Sequence, residues 1–395
     1  MTTDAIVILG GARTAIGSFG GSLAGIPPTE LGAIVARAAL ERAGVAGKQI
    51  GHVAFGHVIN TEPRDLYLSR VAAMEAGIPE TVPAMNVNRL CGSGMQAIVS
   101  VIQALQMDDD AEFALAGGSE NMSRAPHTLN ATRWGQKMGD TGMTDMMIGA
   151  LTCPFGTGHM GVTAENVAER YTIDRDAQDK FAMTSQERAL KAIEAGHFKD
   201  QIVPVEITVR RQTQEFATDE YPKATTLESL ASLRAVFRKD GTVTAGNASG
   251  INDGAAAVVL ATEAAAEAAG HRPLAKITGY AHAGVDPAIM GAGPIPAVET
   301  LLKATGTSVD DYDVIESNEA FAAQALAVSQ QLKLDPDKVN RNGGAIALGH
   351  PIGATGTIIV LKALYELRRT GGQRALTTMC IGGGQGIALA FERCE

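Results

Sequence analysis

Short apolar runs alternate, from one end of the chain to the other, with stretches in which apolar residues recur every three or four positions. The runs have the length of buried strands and the periodic stretches are amphipathic helices, so the pattern predicts α/β layering. In the first half it predicts strands at 5–9, 52–59, 84–90 and 112–116 and helices at 30–43, 66–76 and 95–106. Gly44 and Gly77 follow the first two helices, as left-handed residues commonly do after a last turn. In the second half it predicts strands at 275–280, 313–317, 375–380 and 386–392 and helices at 297–304, 320–332 and 357–367. Cys91 follows Asn60 at almost the interval by which His350 follows Asn318, and each sits just ahead of a helix. This repeat predicts an internal duplication of one α/β unit, with the halves meeting at a pseudo-twofold axis that brings Cys91 and His350 together. Residues 119–248 break the rhythm. They read as an insertion between a strand of the first half and its continuation near 252–260, of the kind that carries binding loops.

Composition narrows the class. A chain of 395 residues suits two or three domains at roughly 150 residues each. With 45% hydrophobic and 19% charged residues it builds a large core and is too poor in charge for disorder. A net charge of −10 without Lys/Arg runs argues against nucleic-acid or anionic-membrane partners. The Ala-rich 253–269 stretch is interrupted by Glu263 and Glu267, so no membrane span is predicted. Cys91, Cys153, Cys380 and Cys394 are scattered and form no CxxC pair, which predicts neither a disulfide scaffold nor a metal site. The first residues carry no basic, signal-like stretch, so the protein is expected to be cytoplasmic.

Four segments carry candidate chemistry. Val87-Asn-Arg-Leu-Cys91-Gly-Ser-Gly reads as a strand-to-helix elbow that leaves a thiol at a helix N-terminus, where free amides and the dipole favour a thiolate. Its glycines admit a substrate carbonyl to the backbone N–H groups; the plain alternative is a buried structural cysteine. Gly92-Ser-Gly94-Met-Gln-Ala97 also fits a dinucleotide-binding pattern, a weak signal by itself. Gly349-His350-Pro351 sets a histidine ahead of a helix, which favours a neutral ring able to act as a base. Ala375-Leu-Thr-Thr-Met-Cys380-Ile-Gly-Gly-Gly-Gln-Gly delivers a second thiol from a buried strand into a glycine turn. Asn318, in Glu316-Ser-Asn318-Glu-Ala-Phe, is either a helix N-cap or a polar group of the site.

Together these segments resemble the thiolase family over nearly the whole chain. The nucleophile segment around Cys91, Asn340-x-x-Gly-Gly…Gly-His350-Pro and Cys380-x-Gly-x-Gly-x-Gly stand in the family's order, with Asn318-Glu-Ala-Phe and Gly246-Asn-Ala-Ser249 in place. Arg64-Asp65, His159-Met-Gly-Val-Thr-Ala-Glu and His282-Ala-Gly-Val-Asp286 are most similar to bacterial biosynthetic and broad-range β-ketothiolases. The resemblance implies duplicated α/β domains in αβαβα layers with an inserted loop domain. Residues 1–118 and 249–273 would form the N-terminal domain, 119–248 the loop domain that binds coenzyme A, and 274–395 the C-terminal domain.

The implied activity is the reversible Claisen condensation of two acyl-CoA molecules to a 3-ketoacyl-CoA and CoA. Cys91 would carry the acyl group, His350 would take its proton and later serve the CoA sulfur, and Cys380 would move the α-proton. His350 and a water held by Asn318 would stabilise the enolate oxygen, and the amides of Cys91 and Gly382 the other oxyanion. Ala245 and Ser249 would touch the pantetheine arm, His159 and Met160 the thioester end, and Phe237 the adenine side. Met290, Ala320 and Phe321 would line the reacting carbons. Lys223 stands, in a segment one residue shorter, where relatives often have arginine, and it lacks the planar face that stacks on adenine. Coenzyme A and acyl-CoA would be substrates, with no metal or tightly bound cofactor, and the protein a homotetramer built as a dimer of dimers through an arm at 133–149. The alternative is a decarboxylating condensing enzyme of the same fold, which would carry a histidine in place of Asn318 and would not need Cys380.

Overall fold

The computed structural model describes residues 4–108 and 111–394. Nine strands run through one sheet: β1 (Ile6–Arg13), β2 (Ile50–Gly56), β3 (Ala84–Val87), β4 (Phe113–Asn121), β5 (Asn252–Thr262), β6 (Ala275–Gly284), β7 (Val314–Ser317), β8 (Arg374–Ile381) and β9 (Gln385–Arg393). Their order is β7-β8-β9-β6-β1-β5-β4-β2-β3, and a short strand at Gly17–Ser18 pairs with β5. Outward from the β1–β6 junction, the two halves follow one rule. The pairs β1–β5 and β5–β4 are antiparallel, whereas β4–β2 and β2–β3 are parallel. In the other half β6–β9 and β9–β8 are antiparallel, β8–β7 is parallel, and Ile315 of β7 bridges in parallel to Val339. The predicted duplication is therefore visible in the sheet. Within the sheet the halves join at β1 and β6, with Val7 opposite Lys276 and Ile8 opposite Ala275.

Helices complete the layers. In chain order these are α1 (Pro28–Ala43), α2 (Ser93–Met107), α3 (Met160–Arg170), α4 (Arg175–Glu194), α5 (Pro294–Thr305), α6 (Ala322–Leu332) and α7 (Thr355–Thr370). The pair α2 and α7 pack on each other and reach strands of both halves, while α1 covers β1 and β5 from one side and α5 covers β6 and β9 from the other. That is the αβαβα arrangement. Residues 90–107, around α2, are long and apolar enough to cross a membrane, but the helix forms part of the interior.

The middle layer is close-packed because glycines stand where its helices cross. A Cβ on Gly356 would stand 2.2 Å from the Met95 amide nitrogen, and one on Gly94 would stand 2.8 Å from that of Thr357. The Thr357 hydroxyl donates across the crossing to the Gly94 carbonyl at 3.1 Å.

The chain leaves the sheet after Asn121 and rejoins it at Asn252, with α3 and α4 in between. Two devices tie this excursion down. Arg13, wholly buried, makes a two-pronged ion pair to Asp219 at 2.7 and 2.9 Å. The returning segment pairs with the second half: Ser249 N–H donates to the Ala320 carbonyl at 3.0 Å and Ala322 N–H to the Asn247 carbonyl at 2.8 Å. Four predicted elements change at their ends. The strands at 52–59 and 84–90 stop at Gly56 and Val87, the helix at 320–332 starts at Ala322 because 320–321 are used for this pairing, and the helix at 66–76 begins as a 3-10 turn at Pro63–Tyr67.

The crossing generates a prediction. Gly356→Ala is expected to cost about 1–3 kcal/mol through overpacking, read as a lower urea midpoint at unchanged slope. Gly25→Ala, where an added Cβ meets nothing within 4 Å, is expected to stay within about 0.5 kcal/mol of the parent.

Candidate active site

The elbow before α2 is held by its own polar side chains. Leu90 takes a left-handed φ of 46°, which costs a residue with a side chain roughly 1–2 kcal/mol. Asn88 Oδ1 accepts the Leu90 N–H at 3.0 Å, and Ser93 Oγ accepts the Arg89 N–H at 2.9 Å while donating to the Leu90 carbonyl at 2.6 Å. Cys91 follows directly, half-buried, with the backbone N–H groups of Gly382 and of Cys91 itself directed at its sulfur. Burial nevertheless raises its pKa, the two N–H groups opposing and the Glu120 charge adding to the rise. This corrects the expectation of a thiolate favoured by the helix terminus. Desolvation of the sulfur outweighs the amides and dipole, so Cys91 rests as a thiol and needs a base.

His350 supplies a candidate. Its backbone N–H donates to Asn252 Oδ1 at 3.0 Å, and Asn252 occupies the space where Gly349 (φ 108°) would carry a Cβ. Ring atom Nδ1 lies 2.7 Å from the Thr355 hydroxyl, while Nε2 has no partner. Burial lowers the ring's pKa to about 4. The neutral ring was anticipated, but burial is the cause, since α7 begins only at Thr355. The same loop is fixed from the other half: Glu120 accepts the N–H groups of Val58, Ile59 and Gly353 at 3.0, 3.1 and 2.9 Å.

Both reactive side chains border a cavity of about 350 Å³. Gly382, His159, Met160, Phe237, Ala245, Ser249, Met290, Ala320 and Phe321 border it too. Cys380 does not. It is wholly buried among Cys153, Met160, Met290, Ala320 and Phe321, directly behind the cavity wall. Burial raises its pKa strongly, and the neighbouring Cys91 charge raises it further. Asn318 also lies off the main cavity, against a void of about 10 Å³ that Ser317 and Thr355 share. Neither its amide oxygen nor its amide nitrogen has a partner, although the residue is only 2% exposed.

One expected placement differs. Lys223 is exposed and off the cavity wall, its Nζ 5.9 Å from the ring centre of Tyr221, which does border the cavity. Phe237 stacks on His159 at 4.7 Å and meets Phe321 edge-on at 6.4 Å. Sequence reasoning passed over Tyr221, Thr355, Cys153 and an apolar wall of Met122, Ile148, Ile251 and Ile352. Cys153 shares the apolar group of Cys380; burial works to raise its pKa, but hydrogen bonds from the Thr157 hydroxyl and the Phe155 and Thr157 N–H groups leave it lowered.

Comparison with known proteins matches this arrangement to one family. Residues 6–264 match the thiolase N-terminal domain and residues 271–393 the thiolase C-terminal domain. The chain belongs to the thiolase family. This thiolase is 58% identical to beta-ketothiolase BktB of Cupriavidus necator, across 99% of this chain and 100% of that one. It is 49% identical to the acetyl-CoA acetyltransferase of Escherichia coli, across 98% of each. Among solved structures, human mitochondrial 3-ketoacyl-CoA thiolase in complex with CoA superposes with a TM-score of 0.96 at 44% identity, with 99% of this chain and 98% of that one covered.

The lowered histidine pKa sets a pH expectation for this thiolase. A base with its pKa lowered to about 4 stays in its working, neutral form as the pH falls through the ordinary histidine range. Any acid limb of kcat/KM that His350 controls should lie near pH 4. A limb centred on about 6.5, the ordinary histidine value, that persists with substrates of different acyl length would contradict the assignment.

Proposed function

We propose that the protein is a β-ketothiolase that condenses two acyl-CoA molecules reversibly, using an acyl-Cys91 intermediate. One observation carries this reading: a thiol faced by two backbone N–H groups shares a cavity with a histidine whose Nε2 is unpartnered, and a second thiol lies buried just behind. In the first half-reaction, His350 Nε2 takes the Cys91 proton and the sulfur attacks the thioester carbonyl. The N–H groups of Cys91 and Gly382 stabilise the oxyanion, and His350 returns the proton to the departing CoA sulfur. In the second, Cys380 passes its own proton to His350 and, as a thiolate, removes the α-proton of the incoming acyl-CoA. The enolate oxygen is held by the Nε2–H of His350, now protonated on both ring nitrogens, and by a water on Asn318, whose unpartnered buried amide supports that role. The carbanion then attacks the acyl-Cys91 carbonyl, the carbon–sulfur bond breaks to release the 3-ketoacyl-CoA, and His350 returns its proton to the departing Cys91 sulfur.

A buried Cys380 with a raised pKa suits a thiolate that exists only during proton transfer. The presence of Asn318 rather than histidine, together with Cys380, speaks against the decarboxylating alternative. We assign the pantetheine arm to the Ala245 and Ser249 wall and keep Lys223 as an outer contact, reached past Tyr221. The apolar wall of Met122, Ile148, Ile251 and Ile352 fits acyl chains beyond acetyl.

The two half-reactions separate experimentally. Cys380→Ala is expected to lose condensation and α-proton exchange with deuterated water by more than about 10³-fold, while acyl exchange between acetyl-CoA and free CoA stays measurable. Acid-quenched protein should carry acetyl on the Cys91 peptide. Condensation by Cys380→Ala within tenfold of the parent, or label on Cys153, would sink the two-thiol scheme.

We also propose a homotetramer. Trp134, Met138 and Met143 are 88%, 90% and 62% exposed on the 133–149 arm, and Leu66, Tyr67 and Met85 are exposed near edge strand β3. Two separate apolar faces suit a dimer of dimers. Light scattering at micromolar concentration should return about four chain masses; a monomer mass would refute the assembly.

A further inference from the structure

Thr355, in the first turn of α7, lies between two groups that compete for its single proton. Its Oγ1 is 2.7 Å from His350 Nδ1 and 2.9 Å from the Pro351 carbonyl oxygen. If the hydroxyl donates to Pro351, it accepts from Nδ1–H, and both short contacts are hydrogen bonds. If it donates to Nδ1 instead, two oxygens face each other at 2.9 Å with no proton between them. The ring proton then moves to Nε2, which has no acceptor, and a buried donor without an acceptor is disfavoured. The first arrangement satisfies the hydroxyl, the Pro351 carbonyl and Nδ1 together, and leaves Nε2 bare toward the cavity. It is also rigid: Thr355 is 2% exposed, and its own N–H donates to the Pro351 carbonyl at 2.9 Å. Thr357 two residues on is pinned to Gly94, so the turn that carries the hydroxyl cannot drift from α2.

We propose that Thr355 is a positioning residue for His350, its hydroxyl fixing the ring tautomer in which Nδ1 carries the proton and Nε2 is bare. The inference rests on His350 being the base that takes the Cys91 proton, and it adds what keeps that base in its competent form before substrate arrives. A neutral imidazole has two tautomers and only one of them accepts a proton at Nε2. Without the hydroxyl, Nδ1–H has no acceptor, and the ring is free to populate the wrong tautomer or to turn.

Three proteins test this: the parent, Thr355→Val, which keeps the branched shape without the hydroxyl, and Thr355→Ser, which keeps the hydroxyl. For acetoacetyl-CoA thiolysis, Thr355→Val is expected to lose about 10²-fold in kcat with KM nearly unchanged, and Thr355→Ser to recover most of the loss. Nitrogen-15 spectra of histidine-labelled parent protein, with His350 identified by its disappearance in His350→Asn, are expected to show Nε2 unprotonated. A parent spectrum with Nδ1 bare overturns the proposal, and so does a folded Thr355→Val with parental kcat. If Thr355→Val does not fold, the parent spectrum alone decides. Should His350→Asn retain parental kcat, the assignment of His350 as base fails instead, a result that Thr355→Val does not produce.

Discussion

The close crossing of α2 and α7 is the constraint on which the site depends. Each half of the duplicated fold offers one reactive residue on the loop that leads into its middle helix, Cys91 before α2 and His350 before α7. Those loops converge only as far as the helices do, and the helices meet because Gly94 and Gly356 let backbone lie against backbone. Gly118 and Gly353 continue the contact, a Cβ on Gly118 lying 2.3 Å from the Gly353 carbonyl oxygen. Side chains in place of these glycines would separate the thiol from the imidazole and open the wall that buries Cys380.

Burial then sets the chemistry. Desolvation raises Cys91 and Cys380 and lowers His350, so all three rest uncharged. A site of neutral groups in an apolar wall does not hold a permanent thiolate–imidazolium pair. Charge arises when the substrate oxygen can share it, and the donors for that oxygen, the N–H groups of Cys91 and Gly382, are already in place. The cost of desolvation is borne by groups that are neutral at rest, which is the cheaper arrangement in a low-dielectric interior.

Much of this was legible in the chain, and the exceptions share a cause. The strand and helix rhythm gave away the duplication because the two middle helices and the strands ahead of them are long and periodic. Cys91, His350, Cys380 and Gly382 stood out because glycines around a reactive side chain have few structural excuses. The direction of the Cys91 shift was misjudged because a helix terminus is visible in a sequence, whereas the depth of the sulfur is a property of the packed halves. The ring contacts of Phe237 were not legible for a similar reason: its partners His159 and Phe321 are distant in the chain and meet only when the insertion folds back. Tyr221 and the apolar wall carry no signature at all, being ordinary residues that the insertion happens to turn inward. Thr355 looked like one more residue in a glycine-rich loop, since its role lies in a hydroxyl one turn beyond the histidine.

The position of β5 has a consequence for how the molecule is made. This strand, buried along its whole length, is inserted between β1 and β4, yet it is encoded some 130 residues after β4 and 240 after β1. A ribosome adding about 5–20 residues per second leaves β1 waiting on the order of 10–50 s for its neighbour. Throughout that interval the newborn first half has two open, apolar strand edges, a standing invitation to pair with another nascent chain. The strand order of the finished sheet thus sets how long its parts must wait for one another during synthesis.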